Sequence, residues 1–117
     1  MGHIFVKTKV GNPSKAEIVE LDAIIDTEAT LTIIPRRLAE QLVLEVTGES
    51  TVNTGAGILK LPRSRAWIEI EGKSEIIPVL VSDLIDRVLI GVTTLEILGL
   101  TVDPITGKLK EWTLLLY

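Results

Sequence analysis

Residues 24–35 read "IIDTEATLTIIP". Apolar pairs stand on either side of a small polar knot that carries two carboxylates, Asp26 and Glu28. A continuously apolar strand is bound for the interior, and a buried, unpaired carboxylate is costly. Two acids at the end of such a strand therefore mark either a turn or a chemical site. The turn reading is local, because an Asp side chain readily accepts from backbone two residues on. The site reading depends on what the rest of the chain builds around it.

Upstream, "HIFVKTKVG" alternates, with Ile4, Val6 and Thr8 opposed to Phe5, Lys7 and Lys9. "GNPS" marks a turn, and "AEIVELDAIID" alternates at first and then becomes continuously apolar. These segments predict a hairpin whose second strand is buried as it nears Asp26. Downstream, "PRRLAEQLVLEV" predicts a two-turn helix with Pro35 in its first turn and Leu38, Gln41 and Leu42 on one face. Val43 occupies the place of the usual left-handed glycine stop, so the stop is expected to be made another way.

"ESTVNTGAGILKLPRSRAWIEIEG" predicts a long hairpin with its tip at Thr54, Gly55, Ala56 and Gly57, and Gly72-Lys73 the next turn. "SEIIPVLVSD" reads as a strand in which Pro78 points to an edge or a bulge. "RVLIGVTTLEILGLTVD" reads as a buried strand, Gly91, a short helix through Leu95 to Leu98, and Gly99 as its cap. "DPITGKL" is a turn, and "EWTLLLY" is an apolar strand with no obvious partner in its own chain. A weak repeat links "AIIDTEATLTIIPRRLAEQL" to "RVLIGVTTLEILGL", each an apolar strand, a small-residue turn and a short helix. The expected architecture is mainly β, internally duplicated, with one or two short helices.

Composition narrows the chemistry. The 117 residues suit one domain, 1–117, and 46% of them are apolar. There is no cysteine, which excludes disulfides, thiol catalysis and cysteine zinc sites. The one histidine, His3, supports a serine triad only if the N-terminus folds back onto a serine. Asp22, Asp83, Asp86 and Asp103 are too scattered to suggest a metal site, and Asp103, before a proline, reads as structural. No metal and no cofactor are expected. A net charge of −4 argues against nucleic acid, and no segment approaches a membrane span or a signal-peptide core. "MG" opens the chain, but Val6 stands where a myristoylation signal wants Ser or Thr. A cytoplasmic protein is the expectation, and scarce Asn, Gln, Met and Cys beside abundant Glu and Lys lean toward a heat-adapted source. Lys60, Arg63 and Arg65 read as a solvated hairpin arm.

With these segments in order, the chain resembles the retropepsin-like aspartic proteases. "IIDTEAT" matches that family's apolar-apolar-Asp-Thr-Gly-Ala signature at all positions but one, "TGAG" falls at its glycine-rich flap, and "VLIG" with "LEILGL" falls at its second apolar-apolar-Gly element and helix. The resemblance spans nearly the whole chain. It implies a small closed β barrel acting as a homodimer on a peptide or unfolded protein. It also implies that Asp26 is catalytic, that Thr27 braces the Asp loop across the dimer axis with Glu28, Ala29 and Thr30 beside it, and that Thr54, Gly55, Ala56 and Gly57 close over the substrate. The terminal Leu114, Leu115, Leu116 and Tyr117 resemble the interleaved strands of the family's dimer base.

The chemistry fits those residue types. Two carboxylates about 3 Å apart share one proton. The ionised partner takes a proton from water while the protonated one polarises the scissile carbonyl. One chain offers one suitable Asp, so two-fold symmetry must bring in its copy. Glu28 replaces the family's glycine. Either it crowds the site with bulk and negative charge and impairs activity, or it turns outward and selects basic peptides. A dimeric peptide-binding module of the same fold and an unrelated small β scaffold are the competing readings.

Overall fold

A computed structural model describes residues 4–112. His3, and the 113–117 tail in which a dimer-forming strand is expected, lie outside the described residues. The chain runs β1 (Ile4–Gly11), β2 (Ile18–Ile25), β3 (Thr32–Pro35), α1 (Arg36–Gln41), β4 (Gly48–Thr54), β5 (Gly57–Ile70), β6 (Lys73–Ser82), β7 (Leu89–Ile90), α2 (Val92–Ile97), β8 (Leu100–Val102) and β9 (Leu109–Glu111). It is mainly β with two short helices, as expected.

Strands are ordered β1-β2-β7-β3-β6-β5-β4, and β1 also pairs with β5. That extra pairing closes the sheet into a ring and leaves β4 outside it as the far arm of a hairpin. Alternation decides which side chains face inward. In β5, Ser64, Ala66, Ile68 and Ile70 are buried, whereas Arg63 before them and Arg65 between them are exposed, and Trp67 and Glu69 are half-buried. The core gathers Val10, Ala23, Ile25, Ile34, Ile68, Ile70, Ile77, Val79, Ile90, Leu95 and Leu100, contributed by nearly every element. Each large aliphatic residue among them contributes about 1.5–3 kcal/mol of burial.

The β1–β2 hairpin forms in the expected place, in register from Ile4↔Ile25 to Gly11↔Ile18. The β4–β5 hairpin turns at Gly55-Ala56 between the paired Thr54 and Gly57. The β5–β6 turn falls one residue earlier than expected, at Glu71-Gly72, both with positive φ (52° and 78°), the backbone a two-residue hairpin turn of this hand requires. Pro78 is neither on an edge strand nor at a bulge. It pairs with Arg65 of β5, and the β3 register begins only at Thr32↔Val79, so no ladder partner on that side is lost at the proline.

Other expectations need correction. The helix does not take in Pro35, which ends β3 with extended backbone (ψ 142°). Within α1, Ala39 is the buried residue and Gln41 is exposed. "EWTLLLY" has a partner over its first residue: Glu111 belongs to β9, which pairs with Leu100 of β8. The two halves of the weak repeat differ too. The first inserts β3 between turn and helix, and the second passes from Gly91 straight into α2.

The stop of α1 is made by the unfavoured residue itself. Val43 adopts φ 54°, its N–H bonds Glu40 C=O at 3.0 Å and the Leu44 N–H bonds Ala39 C=O at 2.9 Å. This is the Schellman arrangement with valine in the glycine place. Gly99 ends α2 in the same conformation at φ 70° without a Cβ to accommodate. The left-handed region costs an L-residue about 1–2 kcal/mol, and Val43 is 77% exposed, so its side chain recovers little by packing. Val43→Gly is expected to stabilise the protein by about 1 kcal/mol, read as a rise of a few degrees in the thermal midpoint. An unchanged or lowered midpoint would show that the strain is relieved elsewhere.

Candidate active site

The "IIDTEAT" segment sits where β2 meets β7. The two strands are parallel, with Ile24↔Leu89 and Ile25↔Ile90 in register. The Ile24 N–H donates to Val88 C=O at 2.9 Å, and the Asp26 N–H donates to Ile90 C=O at 2.9 Å. Asp26 is therefore gripped by the last rung of the ladder while its side chain is only half-buried. From there the chain turns back. Ala29 N–H donates to Asp26 C=O at 3.1 Å, and Glu28 N–H donates to the Asp26 carboxylate Oδ1 at 3.1 Å. The carboxylate is held facing its own loop, the local Asp turn considered above.

A second loop straps the first. Val92 N–H donates to Ala29 C=O at 2.8 Å and Thr93 N–H donates to Thr30 C=O at 3.0 Å. Beneath them lies a pair of buried hydroxyls. Thr32 Oγ1 accepts from Gly91 N–H at 3.0 Å and shares a hydrogen bond with Thr94 Oγ1 at 2.5 Å; both threonines are fully buried. Gly91 lies directly against the Asp loop. A Cβ there would come within 2.6 Å of the Leu31 carbonyl carbon and oxygen, and 2.9 Å of Ala29 O.

Thr32, Thr94 and the packing role of Gly91 escaped sequence reasoning. The signal was present, a polar β-branched residue inside an apolar run, but its meaning depends on a partner 62 residues away. Thr32→Val keeps the shape and removes the hydroxyl. It leaves a buried N–H and a buried O–H unpaired, an expected loss of about 2–3 kcal/mol measurable by urea unfolding. A loss below about 1 kcal/mol would mean that the strap holds without its hydroxyl pair.

The loop divides two hollows. Thr27, exposed, opens on one of about 370 Å³ shared with Val92, Leu95, Leu100, Val102 and Trp112. Glu28, Ala29 and Thr30 open on another of about 520 Å³, with Leu31, Ile33 and Leu80 on one side and Ser50–Asn53 of β4 on the other. The Asp loop thus faces the shaft of the β4–β5 hairpin. The tip residues Thr54, Gly55, Ala56 and Gly57 do not line that cleft. The tip is ordered by Thr54, whose Oγ1 accepts from Ala56 N–H at 3.1 Å and donates to Gly57 C=O at 2.8 Å. Gly57 carries φ +125° with open space around it.

The solved structure of EIAV protease complexed with the inhibitor HBY-793 superposes on this chain with a TM-score of 0.65. The match covers 84% of this chain and 89% of the viral one at 16% identity. This is the retropepsin-like fold. No protein-family model matches the chain, and no curated protein matches its sequence. The likeness is one of fold, at an identity far below what carries function with it.

Two of the rival acids, Asp83 and Asp103, have local partners. Asp83 pairs with Arg36 Nε at 2.5 Å. The Asp103 carboxylate accepts from Ile105 N–H at 2.8 Å and Thr106 N–H at 3.4 Å. Those bonds, the Ile105 one foremost, hold its pKa below the ordinary value with help from Lys110. Among the described residues, no group of three or more His, Cys, Asp or Glu is arranged to hold a metal ion. No described helix is long and apolar enough to cross a membrane.

Proposed function

We propose that the chain is an aspartic endopeptidase that acts as a homodimer on peptides or unfolded protein, with Asp26 of each copy forming the catalytic pair. One observation carries the reading. On a fold shared with a retroviral protease, an aspartate stands half-exposed at the end of a parallel strand pair, its backbone fixed by Ile90 and its carboxylate oriented by the Glu28 N–H. A pair of acids that activates water needs this combination of fixed backbone and accessible oxygen. Thr27 beside it faces a partly apolar hollow, and Trp112 there is 44% exposed. A second copy docked on that side would bring the two Asp26 loops to a common axis, with Thr27 as the brace between them. Residues 54–57 would act as the flap, the 1–117 span would work as one unit, and the cysteine-free, acidic composition suits the cytoplasm.

The test is digestion of a reduced, alkylated protein substrate by the purified chain, with its assembly followed by sedimentation. Cleavage by a dimer supports the proposal; a stable monomer, or a dimer whose Asp26 carboxylates lie far apart, removes it. Glu28 supports a second reading, a dimer of the same fold that binds peptides without cutting them. Peptide binding with no cleavage at any pH would select it.

A further inference from the structure

The cleft lined by Glu28 has an uneven chemistry. Its apolar lining comes from Ala29, Leu31, Ile33, Val52 and Leu80, and Ser50, Thr51, Asn53 and Thr30 supply neutral polar groups. Glu28 is the one ionisable side chain among the lining residues. It is exposed, and none of the ion pairs among the described residues includes it. Arg63, on the neighbouring strand β5, is turned to Ser50, its Nη1 donating to Ser50 Oγ at 3.1 Å. The volume, about 520 Å³, lies within the range of about 300–1,000 Å³ typical of small-ligand sites. It has room for one long side chain with a short length of backbone.

A cleft with apolar walls and a single carboxylate at one side fits one type of side chain. Lysine and arginine carry an alkyl stem that packs on apolar surface and a cation that seeks a charged acceptor. Bonds between such cations and carboxylates are about twice as strong as neutral ones. An acidic peptide side chain would meet Glu28 as a like charge, and a short neutral one would leave the walls unfilled. We infer that the cleft between residues 28–33 and β4 is a subsite for a lysine or arginine side chain of the bound peptide, with Glu28 as its counter-ion. The inference rests on the proposed peptide-binding role of this face. It assigns that site a substrate class, peptides with a basic residue at one fixed position.

The test separates selection from cleavage. A set of octapeptides carries a single lysine at successive positions in a neutral background, each with a twin in which norleucine keeps the stem and removes the charge. Binding to Asp26→Asn protein is measured by calorimetry, and kcat/KM on the parent enzyme. At one position the lysine peptide is expected to bind about tenfold more tightly than its twin. In a Glu28→Gln background that ratio should collapse to near one, and it should shrink with added salt. The same preference should appear in kcat/KM. Equal affinities for all twins, a preference that survives Glu28→Gln, or no binding of any peptide at millimolar concentration overturns the subsite. If the parent cleaves nothing while the lysine preference in binding stands, the peptidase proposal falls and the subsite remains.

Discussion

Asp26→Asn is expected to lower peptide hydrolysis by at least about a thousandfold, in line with the 10²–10⁴ typically supplied by a single positioned acid or base. Both copies in a dimer would be lost at once. The substitution is chosen for what it leaves in place. Asparagine keeps an oxygen for the Glu28 N–H, which now donates to Asp26 Oδ1 at 3.1 Å. The Asp26 N–H to Ile90 bond belongs to the backbone and is unaffected. Only the ability to ionise and carry a proton disappears. Far-UV circular dichroism, the unfolding midpoint and the sedimentation coefficient should therefore match the parent. Residual cleavage within tenfold of the parent would show that another group does the chemistry. Lost cleavage with a lost fold would be uninformative, and the structural measurements guard against that outcome.

Gly91→Ala is expected to destabilise the protein by about 3–5 kcal/mol, the sum of overpacking and of hydrogen bonds broken to relieve it. The new Cβ would meet Leu31 C and O at 2.6 Å and Ala29 O at 2.9 Å. These are backbone atoms and cannot rotate away. Ala29 C=O is also the acceptor for Val92 N–H at 2.8 Å, so separating the loops to admit a methyl group undoes the strap that positions Asp26. Against a total stability of about 5–15 kcal/mol the loss is severe. Urea unfolding measures it, with Gly48→Ala as the comparison, since a Cβ at Gly48 meets nothing within 4 Å. If the two variants differ by less than about 1 kcal/mol, the loops are free to separate and the close approach has no structural weight.

The features that were legible in the sequence are those written in a short window. Alternation over Ile4–Gly11 separated Ile4, Val6 and Thr8 from the exposed Phe5, Lys7 and Lys9, and the long hairpin arm through Ile70 formed as a strand where it was expected. The Thr54–Gly57 tip and the Gly99 cap were marked by glycines at the turns themselves. The Asp26 loop stood out because an acid at the end of an apolar run is costly unless it is used. β3 was not legible: Thr32–Pro35 is too short and too near a helix for its period to declare itself. Gln41 was assigned to the inward face by spacing alone, but α1 spans only Arg36–Gln41 and buries Ala39.

By itself the sequence determined a mainly β chain, an aspartate at the end of a buried strand and a glycine-marked hairpin downstream. Each follows from local terms: side-chain period, turn preference and the cost of burying charge. The tertiary structure alone decided that β7 lies parallel to β2, so that Ile90 grips Asp26. It also decided that Thr32 and Thr94 meet beneath the loop, and that Glu28 opens on a cleft floored by Leu80 and walled by β4. These are contacts between segments tens of residues apart. Their geometry is set when the sheet closes on one shared core, and no window of neighbouring residues carries it.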